Sequence, residues 1–243
     1  MYRGATDSNI KIVTNGLLEH WDAAQLRSYG GSGNTWYDLS GRGKNLTLTN
    51  GPVYSSAFGG GIVYDNVDDY ITAGVSGADG NMYSSQGITL AIWFNVAYFL
   101  GNKILMYNGR VDPDGVDGWD LLIGSGGGTT NLFGYIVGAN NISYSVTSSN
   151  GAITFSQNNY AVMTYDRSNI ILYVNGVQVG TQALTQFIRV QGLLNSVIHI
   201  GRGGLSNTSP FNGTIYSAKI YNRGLTAAEV LQNYNATKTR FGR

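Results

Sequence analysis

The feature that most constrains the fold is a series of short apolar runs, four to eight residues long, that begins near Gly16 and continues along the chain. Clusters of Gly, Asn, Ser and Asp separate these runs. In residues 88–94, which read ITLAIWF, large apolar residues alternate with Thr89, Ala91 and Trp93, which is the period of a β-strand. Many short strands with frequent turns predict an all-β sandwich or jelly roll.

One hairpin is marked by its turn residues. Asn175-Gly176 separates the apolar run IILYV from VQV. A two-residue turn that joins antiparallel strands requires positive φ at both central residues, and Asn-Gly supplies this at the lowest steric cost. We therefore predict a β-hairpin centred on this pair.

One helix is marked close to the C-terminus. Thr226 and Glu229 have the spacing of a capping box, in which each side chain bonds the backbone amide of the other residue. Leu225 and Val230 are placed as the hydrophobic staple that accompanies such a cap. The sequence predicts a short helix whose apolar stripe consists of Val230, Leu231 and Tyr234.

Composition excludes several classes of protein. Charged residues make up only 12% of the 243 residues, which is too few for a bundle of exposed helices, whereas 42% hydrophobic content is ample for a core. The chain has no Cys, so disulfides and thiol chemistry are excluded. The net charge of +1 gives no reason to expect nucleic-acid binding, and no run approaches the length of a membrane span.

These patterns predict one two-sheet antiparallel β-sandwich of the jelly-roll type with a short C-terminal helix. We expect an N-terminal arm over residues 1–15, the sandwich over 16–236, and a basic tail over 237–243. Residues 1–10 contain no apolar segment of the kind found in secretory signals.

Several segments, which occur in the same order as in the family, resemble the laminin-G-like, concanavalin-A-like jelly-roll domains. They read WYDLSGRGKNLTL at 36–48, GGIVYDNVDDYI at 60–71, ITLAIWFN at 88–95, and FNGTIYSAKIYNRGLT at 211–226. Asn66 stands where this family usually has Gly, and Asn tolerates the same left-handed backbone conformation. The resemblance implies a concanavalin A-like fold.

Both ends of the chain are similar to bacteriophage virion proteins that carry this domain, in residues 12–24 and 230–242. This resemblance implies a virion-surface protein, most simply a capsid decoration protein that docks on the major capsid protein or on other virion proteins and forms a homo-oligomer. Basic residues near the ends are the candidates for docking: Arg3, Lys238, Arg240 and Arg243. An extracellular or cell-surface location is the alternative.

An enzymatic function is not indicated. Retaining glucanases of this fold use an E-x-D-x-E strand, and the sequence contains no such strand. Its two glutamates, Glu19 and Glu229, are far apart in sequence, and Glu229 is expected to cap the helix. His20 and His199, the only histidines, lie in strand patterns and are interpreted as structural or surface residues.

The alternative function is that of a carbohydrate-binding adhesin which recognises a host surface glycan. Aromatic rings that lie beside polar side chains are the usual means of holding a sugar. Trp119, Asp120 and Tyr135 are the candidate residues, because Trp119 belongs to none of the segments that resemble the family.

Clustered carboxylates in two segments are candidate ligands for calcium. Asp112, Asp114 and Asp117 precede Asp120 in the run DPDGVDGWD, which fits either a calcium site or a solvated loop. Asp68-Asp69 fits either cation binding or turn formation. No cofactor is required, and calcium remains a candidate.

Overall fold

The computed structural model describes residues 10–73, 87–110, 118–126, 129–189, 196–202 and 210–243. In these residues the chain forms two antiparallel sheets of eight strands each and one α-helix. The predicted all-β sandwich with a short C-terminal helix is confirmed.

The first sheet has the strand order β14-β13-β12-β7-β16-β5-β4, and β1 pairs with β16 beside β5. Its strands are β1 (Leu17–Asp22), β4 (Val53–Ser55), β5 (Gly61–Asp65), β7 (Ile88–Val96), β12 (Asn158–Tyr165), β13 (Asn169–Val174), β14 (Val177–Ala183) and β16 (Asn212–Tyr221).

The second sheet has the order β11-β10-β9-β8-β15-β6-β3-β2. Its strands are β2 (Thr35–Trp36), β3 (Leu46–Thr49), β6 (Tyr70–Ala73), β8 (Gly101–Arg110), β9 (Trp119–Gly126), β10 (Thr129–Val137), β11 (Ser143–Thr147) and β15 (Ser196–Ile200).

The main core lies between the sheets, and β7 shows how the alternating sequence builds it. One set of β7 side chains belongs to the main core cluster: Ile88, Leu90, Ile92 and Phe94. The intervening residues Ala91 and Trp93 belong to a second apolar cluster. Eight of the nine β7 residues are buried, because both faces of this central strand are covered.

The second cluster lies on the outer face of the first sheet, beneath the C-terminal segment. Helix α1 spans Ala227–Asn235, and a 3-10 helix follows at Lys238–Phe241. The indole of Trp93 stacks against the rings of Tyr160, Tyr234 and Phe241, at centroid distances of 5.0, 5.7 and 4.0 Å. Its Nε1 donates a hydrogen bond of 2.9 Å to Thr237 Oγ1. We call this covered surface the capped face.

The predicted helix cap is confirmed. The predicted apolar stripe of this helix is wrong at one residue. Thr226 and Glu229 form the capping box, and Val230 is buried. Leu231, however, is 45% exposed. Asn233 is buried instead, because its amide accepts from the Val13 N–H at 2.8 Å and donates to the Tyr221 hydroxyl at 3.1 Å.

The expected arm and tail are packed against the sandwich wherever the structure describes them. Residues 10–15 contact α1 through the hydrogen bond between Val13 and Asn233, and the Tyr221 hydroxyl donates a hydrogen bond to the Val13 carbonyl. In residues 237–243, Phe241 and Arg240 are both buried. Arg240 is held by an ion pair of 2.7 Å with the buried carboxylate of Asp22. Burial of an aromatic ring and a satisfied charge fixes this segment to the first sheet.

The predicted turn conformations are present. Asn175 and Gly176 have φ of 52° and 82°, as the hairpin between β13 and β14 requires. Asn66, which replaces the usual Gly of the family, has φ of 67°.

Candidate binding face

A continuous row of side chains crosses all eight strands of the second sheet. In the strand register, each member lies directly opposite the next: Ser145, Tyr135, Asp120, Tyr107, His199, Thr72, Thr47 and Thr35. Residues directly opposite one another in antiparallel strands have Cβ atoms about 4.5–5.5 Å apart. The row therefore brings together side chains that are far apart in sequence.

This row faces away from the main core. Trp119 and Leu121, which flank Asp120 in β9, are core residues, as are Ile198 and Ile200 around His199. Because successive strand residues point to opposite faces, Asp120 and His199 project from the outer face of the second sheet.

Aromatic rings surround His199 in the middle of the row. Its imidazole lies 5.8 Å from the ring of Tyr107 and 6.5 Å from the ring of Tyr70, measured between centroids. The guanidinium carbon of Arg202 lies 4.3 Å from the Tyr70 ring centroid, in a cation–π contact. Both tyrosines are partly exposed.

Asp120 occupies the position between Tyr135 and Tyr107. Its Oδ1 is buried and has no hydrogen-bond partner among the described residues. Burial raises the pKa of this carboxyl from 3.8 to about 7, because a charged carboxylate is poorly solvated there. Near neutral pH the group therefore exchanges between a hydrogen-bond acceptor and a hydrogen-bond donor.

His199 provides a second buried polar atom on the same face. Its Nδ1 has no hydrogen-bond partner in the described part of the chain. Burial, with a smaller contribution from the positive charge of Arg202, lowers the pKa of His199 to about 4. At neutral pH the imidazole is uncharged, so one ring nitrogen accepts a hydrogen bond and the other donates one.

An apolar row runs beside the polar one. Phe133, Leu122 and Ile104 lie opposite one another in β10, β9 and β8. Phe133 is partly exposed, whereas Leu122 and Ile104 are nearly buried. We call the combined surface the outer aromatic face, which consists of Tyr70, Tyr107, Asp120, Phe133, Tyr135 and His199.

The structure brings together two of the three residues that were predicted to bind a glycan. Asp120 and Tyr135 are cross-strand neighbours on the outer aromatic face. Trp119 is 1% exposed and lies in the main core, so the prediction that its ring stacks on a sugar is corrected. Sequence reasoning missed Tyr107 and interpreted His199 as a structural or surface residue, although the alternation in the run VIHI places His199 on the face opposite the core residues.

The carboxylates considered as calcium ligands fall into two groups, and in the structure the second also includes Asp65, which the sequence did not single out. Asp112, Asp114 and Asp117 lie outside the described residues. Carboxylate oxygens of Asp65, Asp68 and Asp69 lie within 4.8 Å of one another.

Hydrogen bonds within this second group are those of a turn. Asp69 Oδ2 accepts from the Asp65 amide, and Asp65 Oδ1 accepts from the Val67 amide. These bonds support the turn interpretation of Asp68-Asp69, and calcium binding remains a prediction.

The residues predicted to dock on a partner have different environments. Arg3 lies outside the described residues. Arg240 is 7% exposed and bonded within the fold, so its side chain is not available to a partner at this surface. Lys238 is partly exposed with its ammonium 5.6 Å from the Tyr234 ring centroid. Arg243 is exposed and donates through Nε to the Asn158 carbonyl.

The sequence profile of the Concanavalin A-like lectin/glucanases superfamily, Laminin_G_3, matches residues 65–231. The chain belongs to this superfamily. The match includes β6 to β16, and thus most of both sheets and all of the outer aromatic face. A comparison with curated proteins finds no match by sequence.

Several solved structures have a similar fold, although their sequence identity to this chain is low. The binding domain of botulinum neurotoxin serotype D has a TM-score of 0.67 at 13% identity, covering 91% of this chain and 52% of that one. The binding domain of botulinum neurotoxin DC in complex with rat synaptotagmin II has a TM-score of 0.68 at 14% identity, covering 93% and 52%. The chain thus spans about half the length of these toxin domains.

A third similar structure aligns with this chain over almost its full length. Domain 4 of AbnA, a GH43 extracellular arabinanase from Geobacillus stearothermophilus, in complex with arabinotriose, has a TM-score of 0.63 at 18% identity. The alignment covers 90% of this chain and 98% of that domain. In the described residues, no helix has the length and apolar character needed to cross a lipid bilayer.

Proposed function

We propose that this protein is a non-catalytic carbohydrate-binding module and that the outer aromatic face holds the sugar. The observation that carries the proposal is the position of Asp120. Its buried Oδ1 has no hydrogen-bond partner among the described residues, and the carboxyl lies between Tyr135 and Tyr107. An unpaired buried acceptor is costly to the fold, and because Asp120 as a residue is partly exposed, a ligand hydroxyl that donates to its carboxyl recovers part of this cost.

The remaining side chains complement the chemistry of a sugar. A sugar ring has an apolar face of C–H groups, and partly exposed tyrosine rings provide a flat apolar surface for it. The uncharged imidazole of His199 offers a ring nitrogen to a second hydroxyl. Aromatic surfaces with a few fixed polar groups are the usual composition of a small-molecule site.

Comparison with other proteins supports binding rather than catalysis. The superfamily description names both lectins and glucanases, so the support comes from the similar structures, which include toxin binding domains and a domain in complex with arabinotriose. Glu229 is unsuited to act as a general acid, because its hydrogen bonds with the side chain of Arg223 lower its pKa to about 2. General acid catalysis requires a pKa near the working pH.

The experiment is a glycan array followed by calorimetric titration of each sugar that binds. We expect Tyr135→Ala and Asp120→Ala each to weaken binding at least tenfold, and Tyr98→Ala to leave it unchanged. Tyr98 is a matched control because it is 65% exposed and lies between β7 and β8, outside the face. Equal affinity of all three variants would place the sugar elsewhere, and absence of binding across the array would refute the proposal.

A virion-surface role is the second candidate, in which the protein docks on a capsid protein or on another virion protein. Its support is that the two segments with similarity to phage virion proteins pack together. Val13 and Phe241 belong to one apolar cluster, and Val13 is hydrogen-bonded to Asn233. Quantitative mass spectrometry of purified particles tests this role. Hundreds of copies per particle indicate capsid decoration, a handful indicates a tail or fibre, and absence refutes it in favour of an extracellular location.

A further inference from the structure

A cavity of about 330 Å³ lies at one end of the first sheet, away from the outer aromatic face. It opens where β7 ends and β12 begins, beside the 3-10 helix at Lys238–Phe241. We call it the C-terminal cleft. The side chains that the argument uses are Phe58, Asn95, Ser156, Gln157, Asn158 and Arg243.

Two lining residues have a backbone conformation that is unfavourable for their side chains. Among the described residues, seven non-glycine residues have positive φ, and four of them are asparagines, which tolerate it. Phe58 and Ser156, with φ of 51° and 55°, are two of the remaining three, and both line the cleft. Strained residues of this kind cluster at ligand sites because the surrounding structure holds them there.

The contacts that hold Phe58 are built into the fold. Arg240 donates from Nε to the Phe58 carbonyl at 2.6 Å, while its Nη1 is paired with Asp22. The Phe58 ring packs edge-on against Tyr216, at 5.8 Å between centroids. The ring nevertheless remains 43% exposed, so the strained turn presents an aromatic surface at the cleft.

Neutral amides are among the polar groups that line the cleft. The Asn95 amide nitrogen donates to Asn158 Oδ1 at 3.2 Å, and the Asn158 amide nitrogen donates to the Phe241 carbonyl at 3.3 Å. This chain of hydrogen bonds fixes the orientation of both amides. The side chain of Gln157 is exposed and makes no hydrogen bond among the described residues.

The two remaining polar groups are the hydroxyl of Ser156 and the guanidinium of Arg243. Arg243 donates from Nε to the Asn158 carbonyl at 2.9 Å. No Asp or Glu side chain is among the residues that line the cleft in the described part of the chain. The cleft thus combines the exposed ring of Phe58 and the buried residue Phe241 with three side-chain amides, one hydroxyl and one guanidinium.

We propose that the C-terminal cleft is a second saccharide site, which takes a single neutral sugar unit. The Phe58 ring contacts the apolar face of the sugar, and Asn95, Gln157 and Asn158 bond its hydroxyl groups. At about 330 Å³ the cavity is near the lower limit of about 300 Å³ for small-molecule sites, which fits a single sugar unit rather than a chain. This site is separate from the outer aromatic face and does not depend on the function proposed for that face.

The test is a titration of ¹⁵N-labelled protein with galactose, N-acetylglucosamine and arabinose, followed by NMR. We expect at least one of these sugars to shift the side-chain amide signals of Gln157 and Asn158. Phe58→Gly removes the ring and permits positive φ, so we expect it to keep the fold and to weaken binding at least tenfold. Gln157→Ala is the second variant, since an exposed side chain can be removed without risk to the core.

Two controls separate this site from the outer aromatic face. Tyr37→Ala, which removes a ring that is 51% exposed elsewhere on the surface, should leave the titration unchanged. Tyr135→Ala should abolish shifts at the outer aromatic face and retain those at the cleft. Wild-type affinity in both Phe58→Gly and Gln157→Ala would overturn the proposal. It would also be overturned if no cleft amide responded to any of the three sugars, or if N-acetylneuraminic acid bound more tightly than they did.

Discussion

The two outer faces of the sandwich are both rich in aromatic residues and differ in what covers them. On the capped face, Trp93 is stacked against rings of α1 and the 3-10 helix, and its indole nitrogen is hydrogen-bonded to Thr237. On the outer aromatic face, Tyr107 and Tyr135 remain partly exposed and lie beside Asp120, whose Oδ1 has no partner among the described residues. Aromatic residues therefore stabilise one face, whereas on the other they accompany polar atoms whose bonding is incomplete.

This comparison separates stability from binding, and variants can be paired across the two faces. Changes on the capped face should lower the free energy of unfolding. Changes on the outer aromatic face should alter ligand binding and pH dependence with little loss of stability. The first three predictions below are ordered from the largest expected loss of stability to the smallest, and the fourth concerns the dependence of stability on pH.

Trp93→Ala should destabilise the protein by about 3–5 kcal/mol, the usual cost of removing a large buried aromatic side chain. The ring is fully buried and in contact with three others, so the cavity cannot close easily. Urea unfolding measures the change. Tyr135→Ala is the paired variant on the other face, and a similar loss there would break the distinction between the faces.

Arg240→Ala should cost about 3–5 kcal/mol, because it leaves the buried Asp22 carboxylate without its ion-pair partner. It also removes donors from the carbonyls of Phe58 and Gly60. Lys238→Ala, which removes a partly exposed charge two residues away, should change stability by less than about 0.5 kcal/mol. Equal effects in thermal unfolding would contradict the assignment of Arg240 to the fold.

Thr226→Ala should destabilise by about 1 kcal/mol, the typical cost of removing a helix N-cap. The hydroxyl of Thr226 accepts from the Glu229 amide, and the loss loosens the start of α1. Thr226→Ser, which keeps the hydroxyl, is the matched control. Hydrogen exchange of the α1 amides should increase in the alanine variant alone, and unchanged exchange would show that packing holds the helix without its cap.

Asp120→Asn should remove a pH dependence of stability that the wild type has between about pH 4 and pH 7. The pKa of Asp120 is raised from 3.8 to about 7, so the folded protein binds a proton more tightly than the unfolded chain does. Its contribution to stability is complete below the unfolded pKa and is lost as pH rises through the folded pKa.

Unfolding of both proteins between pH 4 and pH 8 measures this contribution. The stability of the wild type relative to Asp120→Asn should fall as the pH rises towards 7 and become constant above it. Because His199 is present in both proteins, its own titration cancels in the difference. Parallel curves would mean that Asp120 has an ordinary pKa and is well solvated.

The dependence of sugar affinity on pH tests the same pKa of Asp120. A hydroxyl that donates to the Asp120 carboxylate stabilises its ionised form and therefore lowers its pKa. Sugar affinity should then increase as the pH rises through about 7, with release of a proton on binding.

The features that could be predicted from the sequence are those set by residues close together along the chain. The alternation in residues 88–94 assigned each β7 side chain to its face, and the Asn-Gly pair and the capping box located a hairpin and a helix start. Each of these is governed by spacing along the chain, so no tertiary information was needed.

Features that depend on distant residues could not be predicted in this way. The cover over Trp93 arises from Thr237 and its neighbours, 144 residues away. Strand β9 is apolar on both faces, as Leu121 and Leu122 show, so its sequence does not indicate which way Trp119 points. The row across the second sheet depends on strand pairing, which no local pattern encodes.

The hydrogen bond between Val13 and Asn233 joins positions 220 residues apart, so the chain enters and leaves the sandwich at nearly the same point. A domain with neighbouring ends can be inserted into a surface loop of another protein without separating the two sides of that loop. It can also be circularly permuted, with a linker that joins the segments around Val13 and Asn233 and new ends placed in an exposed turn such as Asn150-Gly151. The outer aromatic face lies on the other sheet, so it would be presented unobstructed in either arrangement.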